Sequence, residues 1–384
     1  MSNTEVAPQE ILCEPDHSCV GLEVLVPRQV PLGGPRAMDV RRTLPQRQRS
    51  LIGAWCFVDH YGPDRVGESG GMHVPRHPHT GLQTVSWLFT GEIEHRDSAG
   101  VHAAVRPGEV NLMTAGRGIS HSEFSTPRTD VLHGAQLWLA LPDSARQMEP
   151  TFEHYRPDPL SGPGWVMRVF LGSMAGSTSP VTTHTRLLGA EVLLDAGATL
   201  ALDTEPSFEH GLLVDAGALM VDGHPVAKDH LAYLPAGRTS LTLAAGVEPL
   251  RVLLIGGEPL GEQIVMWWNF VGRSHEEIVT YRSQWQTEIG AEEAPAAAGP
   301  GSAGLRFGTF PAGEPAPLPA PALPNARLRP ATEARRRAPG LRSAASPRET
   351  GFLTRTGEVP ARPRRPHPGN AGSHRAHKVA PDGP

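Results

Sequence analysis

Two short pairs of side chains in the first third of the sequence have residue types and spacing suited to metal binding. The first pair is His77 and His79, and the second pair is His121 and Glu123. Residues i and i+2 of a β-strand point to the same face, so each pair could direct two ligands at one point. Three imidazoles and one carboxylate suit a mid-row transition metal and need not fill its coordination sphere, which leaves positions for a substrate or O₂. A structural zinc site would more often use cysteine and close its tetrahedron.

The elements that must position these pairs have the pattern of short strands. Apolar runs of strand length, bounded by proline and glycine, recur along residues 22–141 and again along residues 166–255. Spacing of about 8–12 residues between such runs is typical of a β-sandwich or barrel. We therefore expect two β-domains in tandem, joined by a Pro-, Ser- and Gly-rich linker at residues 143–164.

One helix is expected late in the sequence. Ser274 and Glu277 have the spacing of a capping box, in which the serine accepts from an amide and the glutamate reaches back. Ile278, Tyr281 and Trp285 follow at positions that share one helix face. This pattern predicts a short helix docked on a sheet.

Composition excludes several other classes of protein. The 42 glycines and 39 prolines are too many for a helical bundle or coiled coil, because both residues are disfavoured inside helices. The three cysteines show no CxxC spacing, which argues against a disulfide scaffold and a cysteine-based zinc site. No apolar run reaches the ~18 residues that span a bilayer. Residues 1–10 lack the apolar segment of a secretory signal, so we expect a cytoplasmic protein.

Charge is distributed unevenly along the chain. The formal net charge is −5, made up of +7 in residues 331–384 and −12 in residues 1–330. An acidic body does not favour nucleic acid or an anionic membrane. The basic segment 331–384 has few large apolar residues, which predicts a disordered tail. Residues 1–20 are expected to be flexible, and residues 291–330 to form a Pro/Ala-rich extension.

The two ligand pairs lie in an arrangement that resembles the cupins. A G-x5-H-x-H pattern ends at His79, and a proline–glycine segment at residues 106–109 precedes the second pair. Two features depart from the general cupin pattern. The glutamate position of the first motif holds Gln83, and a glutamate follows the second-motif histidine at Glu123.

These departures, together with several separated motifs, resemble the pirin family. The matching segments occur in order within residues 20–330: RRTLP (41–45), CFVDH (56–60), HPHTGLQTVSWLFTGEIEHRDSAG (77–100), MTAGRGISHSE (113–123) and MWWNF (266–270). The resemblance implies an all-β protein with two tandem cupin domains, which are jelly-roll β-sandwiches. The N-terminal cupin, residues 21–142, would bind the metal, and the C-terminal cupin, residues 165–290, would not.

The resemblance also implies the metal and its ligands. The metal would be iron, as Fe(II), with Mn, Co, Ni, Cu and Zn as alternatives. Its ligands would be His77, His79, His121 and Glu123. His210, His224 and His230 form no such pair, so we expect surface or turn histidines there. Other histidines near the ligand pairs, among them His95 and His133, are expected to be solvated or to support the ligands.

The activity that the resemblance implies is that of a quercetin 2,3-dioxygenase, which opens a flavonol ring with O₂ and releases CO. Glu123 would be the catalytic residue and would take the flavonol proton. The alternative is a redox-sensing regulatory protein, in which the oxidation state of iron changes a surface read by a protein partner. We expect a monomer with a small aromatic substrate and O₂, and neither a membrane nor a specific nucleic-acid partner.

Overall fold

The computed structural model describes most of the chain up to residue 324. The described residues are 3, 5, 7–13, 21–32, 38–292, 305–310 and 313–324. The segment 331–384, which we expected to be disordered, lies outside this part. No helix within the described part is long and apolar enough to cross a membrane.

The first half of the chain folds into a β-sandwich. Two short strands come first, β1 (Ile11–Cys13) and β2 (Glu23–Leu25). The strands of the sandwich follow: β3 (Arg28–Leu32), β4 (Met38–Leu44), β5 (Trp55–Arg65), β6 (His73–His79), β7 (Leu82–Thr90), β8 (Ile93–Asp97), β9 (His102–Val105), β10 (Val110–Thr114), β11 (Ile119–Ser125), β12 (Val131–Ala140) and β13 (Thr151–Tyr155). A single helical turn, α1 (Val66–Ser69), follows β5. The larger sheet has the order β13-β10-β7-β12-β5-β4-β3, and the smaller sheet has the order β6-β11-β8-β9.

The second half repeats this architecture. Its strands are β14 (Leu160–Gly162), β15 (Trp165–Leu171), β16 (Ser173–Met174), β17 (Ser177–Thr178), β18 (Leu187–Leu194), β19 (Thr199–Asp203), β20 (Glu209–Ala216), β21 (Leu219–Val221), β22 (His224–Val226), β23 (Leu231–Leu234), β24 (Ser240–Ala245) and β25 (Leu250–Gly257). The larger sheet has the order β14-β15-β18-β25-β20-β23-β2, and the smaller sheet has the order β19-β24-β21-β22. β16 and β17 form a separate two-stranded ribbon.

A three-stranded sheet and a helix close the folded part. The sheet joins β1 to β26 (Ile264–Trp267) and β27 (Phe270–Gly272), and the helix α2 spans His275–Glu288. The helix starts as predicted, because the Ser274 side chain accepts from the Glu277 amide at 3.2 Å. Glu277 reaches back to the amide of Arg273, one residue earlier than in a capping box. The helix face that packs on the sheet carries Ile278, Tyr281 and Trp285, all buried.

The two sandwiches pack through their larger sheets. The core between them contains Trp55 and Trp87 from the first half and Phe170 and Leu253 from the second. Trp87 stacks on Phe170 with ring centroids 4.5 Å apart. The predicted fold class, two tandem cupin sandwiches with a short C-terminal helix, is confirmed for the described residues.

Three short strands lie where the sequence suggested loops. Residues 143–164, expected as a linker, contain β13 and β14, each an edge strand of a larger sheet. Within residues 1–20, expected to be flexible, β1 pairs with β26, which corrects that expectation for Ile11–Cys13. β2, from the N-terminal half, pairs with β23 and belongs to the second sandwich. Edge strands are short and tolerate proline and polar residues, so their composition resembles that of loops.

Candidate metal centre

The two predicted pairs lie on neighbouring strands of the smaller sheet in the first sandwich. β6 carries His77 and His79, β11 carries His121 and Glu123, and His121 is directly opposite His77. The donor atoms of the three histidines lie within 4.8 Å of one another. A Glu123 oxygen lies within the same distance of a nitrogen of His121. None of the four residues is more than 1% exposed. The structure clusters the three histidines, and it groups Glu123 with His121 and His95 rather than with His77 and His79.

The local sequence explains how the two strands present these side chains. β6 is an edge strand and contains Pro75 and Pro78, which suit an edge because proline cannot donate to the ladder. The pairing of β11 with β6 shifts register between His121 and Glu123. Such a bulge bends the strand and re-aims the following side chain.

Hydrogen bonds fix which nitrogen of each β6 histidine faces the pocket. His77 Nδ1 lies 2.9 Å from the carbonyl oxygen of Pro75, and His79 Nδ1 lies 3.2 Å from that of Asn269. A carbonyl oxygen only accepts, so each Nδ1 carries the proton and each Nε2 keeps its lone pair. His77 Nε2 is buried and has no hydrogen-bond partner among the described residues.

The charge state of the histidines suits a cation. Burial lowers the pKa of His77 to about 3 and lowers those of His79 and His121 well below the usual value. The three imidazoles are therefore neutral at pH 7. His79 Nε2 lies only 3.1 Å from His121 Nε2. A bound metal ion would satisfy these buried nitrogens, so the residues present fit a metal.

A segment from the predicted Pro/Ala-rich extension covers the outer face of the same two strands. We call residues 305–310 the C-terminal strap. Ser120 and Arg76 alternate with the candidate ligands and so point to the other face. Ser120 donates to the carbonyl oxygen of Phe307 at 2.8 Å, and Arg76 donates to that of Gly308 at 2.8 Å. Phe307 is fully buried, so the strap is a packed part of the structure around the sheet that carries the candidate ligands.

His95, which the sequence predicts to be solvated or to support the ligands, is buried and in contact with His121. His95 is 3% exposed, and its Nδ1 lies 3.3 Å from Nδ1 of His121. A signal for this was present in the sequence. His95 and Asp97 have the same i, i+2 spacing on a strand as the two ligand pairs.

The prediction for His210 is wrong. It was expected at the surface or in a turn, but it is fully buried on β20. Neither of its ring nitrogens has a hydrogen-bond partner within the described ranges. Its strand neighbours on the same face, Leu212 and Val214, belong to the apolar core of the second sandwich. His224 is exposed and His230 half-buried, as expected.

A second group of ionisable side chains joins the two sandwiches. Asp215 Oδ1 lies 2.7 Å from His60 Nε2 and 2.6 Å from His133 Nε2, and Oδ2 lies 3.1 Å from Arg251. Arg41 donates to the other ring nitrogen of His60. Burial raises the pKa of Asp215, but the two histidines lower it by more, so the carboxylate stays ionised. The guanidinium groups of Arg41 and Arg251 lie on either side of this group. We therefore interpret it as an ion-paired bridge between the sandwiches rather than a cation site.

Comparison with known proteins decides the family. Residues 37–139 match the pirin family, and residues 189–289 match the pirin C-terminal cupin domain. A Pseudomonas aeruginosa protein named "Putative quercetin 2,3-dioxygenase" is 45% identical over 267 residues, 69% of this chain and 84% of that protein. The chain belongs to the pirin family.

A second pirin-like protein and a solved structure are also similar to this chain. The pirin-like protein of Caulobacter vibrioides is 36% identical over 65% of this chain and 88% of its own length. The crystal structure of quercetin 2,3-dioxygenase from Acinetobacter baumannii matches with a TM-score of 0.72 and 36% identity. It covers 80% of this chain and 97% of that one. The resemblance to the pirin family inferred from the sequence motifs is thereby confirmed.

Proposed function

We propose that this pirin-family protein binds Fe(II) and opens flavonol rings with O₂ in the manner of a quercetin 2,3-dioxygenase. The proposed ligands are His77, His79, His121 and Glu123. The observation that carries the proposal is the convergence of three neutral imidazoles with a buried carboxylate nearby. The names of the Pseudomonas and Acinetobacter proteins support the activity. The N-terminal cupin, residues 21–142, would hold the metal, and the C-terminal cupin, residues 165–290, would bind none.

The donor set favours a mid-row divalent metal. Three imidazole nitrogens and one carboxylate oxygen suit iron, and Mn, Co, Ni, Cu and Zn accept the same donors. Iron is proposed because the resemblance to the pirin family implies it and because it supports one-electron chemistry toward O₂. The metal content of the purified protein is therefore the first quantity to measure.

The proposed activity assigns separate roles to the metal, to Glu123 and to the aromatic side chains beside the ligands. When bound, iron supplies Lewis acidity and one-electron chemistry toward O₂. Glu123 acts as the base and takes the proton of the flavonol hydroxyl onto a carboxylate oxygen. The ring of Trp138 lies 5.1 Å from that of His79 and stacks on Phe57 at 3.9 Å. Trp138 and Phe57 are both buried, so their rings form an apolar boundary that keeps water away from the proposed ligands.

Metal analysis followed by substrate titration tests the proposal. Protein purified without added metal is analysed for metal content, then mixed anaerobically with flavonols and titrated with O₂. We expect bound iron, flavonol consumption that depends on O₂, and release of CO. His79→Ala should remove most of the bound metal. His73→Ala, which changes an exposed histidine on the same strand, is the matched control and should retain it.

Two results would contradict the proposal. Full metal content in His79→Ala would show that the metal binds elsewhere. A metal-loaded wild-type protein that consumes no flavonol would exclude the dioxygenase activity and leave the redox-sensing alternative.

A further inference from the structure

We infer that His95 and Asp97 form a hydrogen-bonded relay that fixes which ring nitrogen of His121 faces the metal. The inference rests on the proposed metal centre and adds two positioning residues to it. Neither residue is among the proposed ligands. Both would act through His121.

The contacts form a continuous chain. β8 lies next to β11, and in their register Asp97 is opposite His121 and His95 is opposite Glu123. The His95 and Asp97 residues are each 3% exposed. His95 Nε2 lies 3.1 Å from Asp97 Oδ2, and His95 Nδ1 lies 3.3 Å from His121 Nδ1.

The chemistry of these groups gives the relay one direction. The Asp97 carboxylate oxygen accepts, so His95 carries its proton on Nε2 and donates it to Asp97. His95 Nδ1 is then an acceptor and receives the proton on Nδ1 of His121. His121 therefore keeps the lone pair on Nε2, the atom that faces Nε2 of His79. The relay thus holds the His121 proton on Nδ1, as backbone carbonyls do for His77 and His79.

Asp97 is itself held by the turn that follows β8. Its Oδ1 accepts the amides of Ala99 at 2.9 Å and Val101 at 3.0 Å. This leaves Oδ2 for His95. Because rotation of the carboxylate would break both turn bonds, the orientation of His95 is set before any metal arrives.

The competing interpretation is that His95 is itself a ligand. One donor atom each from His95, His121 and Glu123 lie within 4.8 Å of one another. The hydrogen-bond pattern favours the relay, because both ring nitrogens of His95 already have partners: Nε2 faces Asp97 and Nδ1 faces His121.

Three variants of the full chain test the relay. His95→Leu removes both hydrogen bonds, and we expect metal affinity to fall about 10–100-fold. His95→Gln can still accept from His121 and donate to Asp97, so its affinity should stay close to wild type. Asp97→Asn keeps an oxygen for the turn amides but presents an NH₂ group to His95. That reverses the relay, places the proton on Nε2 of His121 and should also weaken metal binding about 10–100-fold.

The measurements are Zn²⁺ affinity by competition with a chelator and histidine ¹⁵N NMR of the Zn²⁺-loaded protein. The wild-type spectrum should show His121 protonated at Nδ1 and metal-bound at Nε2. His102→Leu is the matched control, because the His102 side chain is 62% exposed on the neighbouring strand β9. Its affinity should equal that of wild type. Far-UV circular dichroism and a melting curve check that each variant folds.

Each outcome decides between the interpretations. Wild-type affinity in His95→Leu would overturn the relay. A metal-bound nitrogen on His95, with equal loss of metal in His95→Gln and His95→Leu, would make His95 a ligand and also overturn it. If Asp97→Asn does not fold, the contrast between the two His95 variants decides alone. Failure of wild type to bind metal, or of His79→Ala to lose it, would instead contradict the proposed function.

Discussion

Glu123 is the residue at which the enzymatic and regulatory interpretations differ. We predict that Glu123→Gln reduces flavonol turnover more than it reduces metal content. The amide still offers an oxygen ligand, but it neither accepts a proton nor neutralises charge on the metal. In a redox sensor the same change would raise the Fe(III)/Fe(II) potential, because loss of a negative ligand disfavours the more highly charged ion. Turnover and midpoint potential measured on one sample separate the two interpretations. If neither changes, the site has neither role.

His210 should make the stability of the protein sensitive to mild acid. Burial lowers the pKa of His210 from its ordinary value to about 4, whereas in the unfolded chain the pKa is about 6.5. Between these values the unfolded state binds the extra proton. His210 should therefore contribute a fall of about 1.4 kcal/mol per pH unit in the free energy of unfolding as the pH decreases through this window, in addition to the contributions of other buried histidines such as His77.

Urea unfolding at pH 7, 6 and 5 measures this slope. His210→Leu should reduce the slope of the unfolding free energy against pH by about 1.4 kcal/mol per pH unit, the contribution of one proton. Replacement of the exposed His224 should leave the slope unchanged. An equal slope in wild type and His210→Leu would show that His210 is not a neutral buried residue.

At the scale of elements, the C-terminal strap should contribute directly to stability. Phe307 is fully buried against the helix and β27, where its ring contacts those of Trp285 and Phe270. We predict that Phe307→Ala lowers the free energy of unfolding by about 3–5 kcal/mol through the cavity it leaves. Leu305→Ala is the control, because Leu305 in the same strap is 49% exposed. Equal urea midpoints for the two variants would show that the strap does not pack as described.

Local patterns predicted the elements whose geometry is set by nearby residues. The i, i+2 spacing of the ligand pairs and the cap at Ser274 both depend on a few consecutive residues. The edge strands β1, β13 and β14 and the strap form only through pairing with distant segments, so their own composition does not distinguish them from loops. The positions of His95 and His210 depend on sheet register and on which face meets the core. Neither can be obtained from one sequence alone.

At the scale of the whole molecule, Asp215 links the two cupin sandwiches through its ion pairs with His60 and His133. Removing one partner of a buried ion pair leaves the others without compensation, so Asp215→Ala should lower the free energy of unfolding by about 3–5 kcal/mol. Asp143→Ala is the control: it removes an exposed partner of Arg146 and should change the free energy of unfolding little. Urea unfolding compares them, and equal midpoints would contradict a bridging role for Asp215.

The basic segment 331–384 should be dispensable for the fold. Its composition, rich in arginine, proline and alanine with few large apolar residues, offers little to bury. A chain that ends at Arg329 should therefore have the same melting temperature as the full chain. A clear drop in differential scanning calorimetry would show that the segment contributes to the folded body.

The path of the chain through the two sandwiches has a consequence for how the protein is made. His79 is oriented by a carbonyl 190 residues later in the sequence, and Ser120 contacts the strap 187 residues later. At translation rates of about 5–20 residues per second, these partners leave the ribosome roughly 10–40 s after the proposed ligands. The nascent N-terminal half thus exposes its histidines before their supports exist. Insertion of the proposed metal into its final geometry would therefore follow synthesis of nearly the whole folded chain.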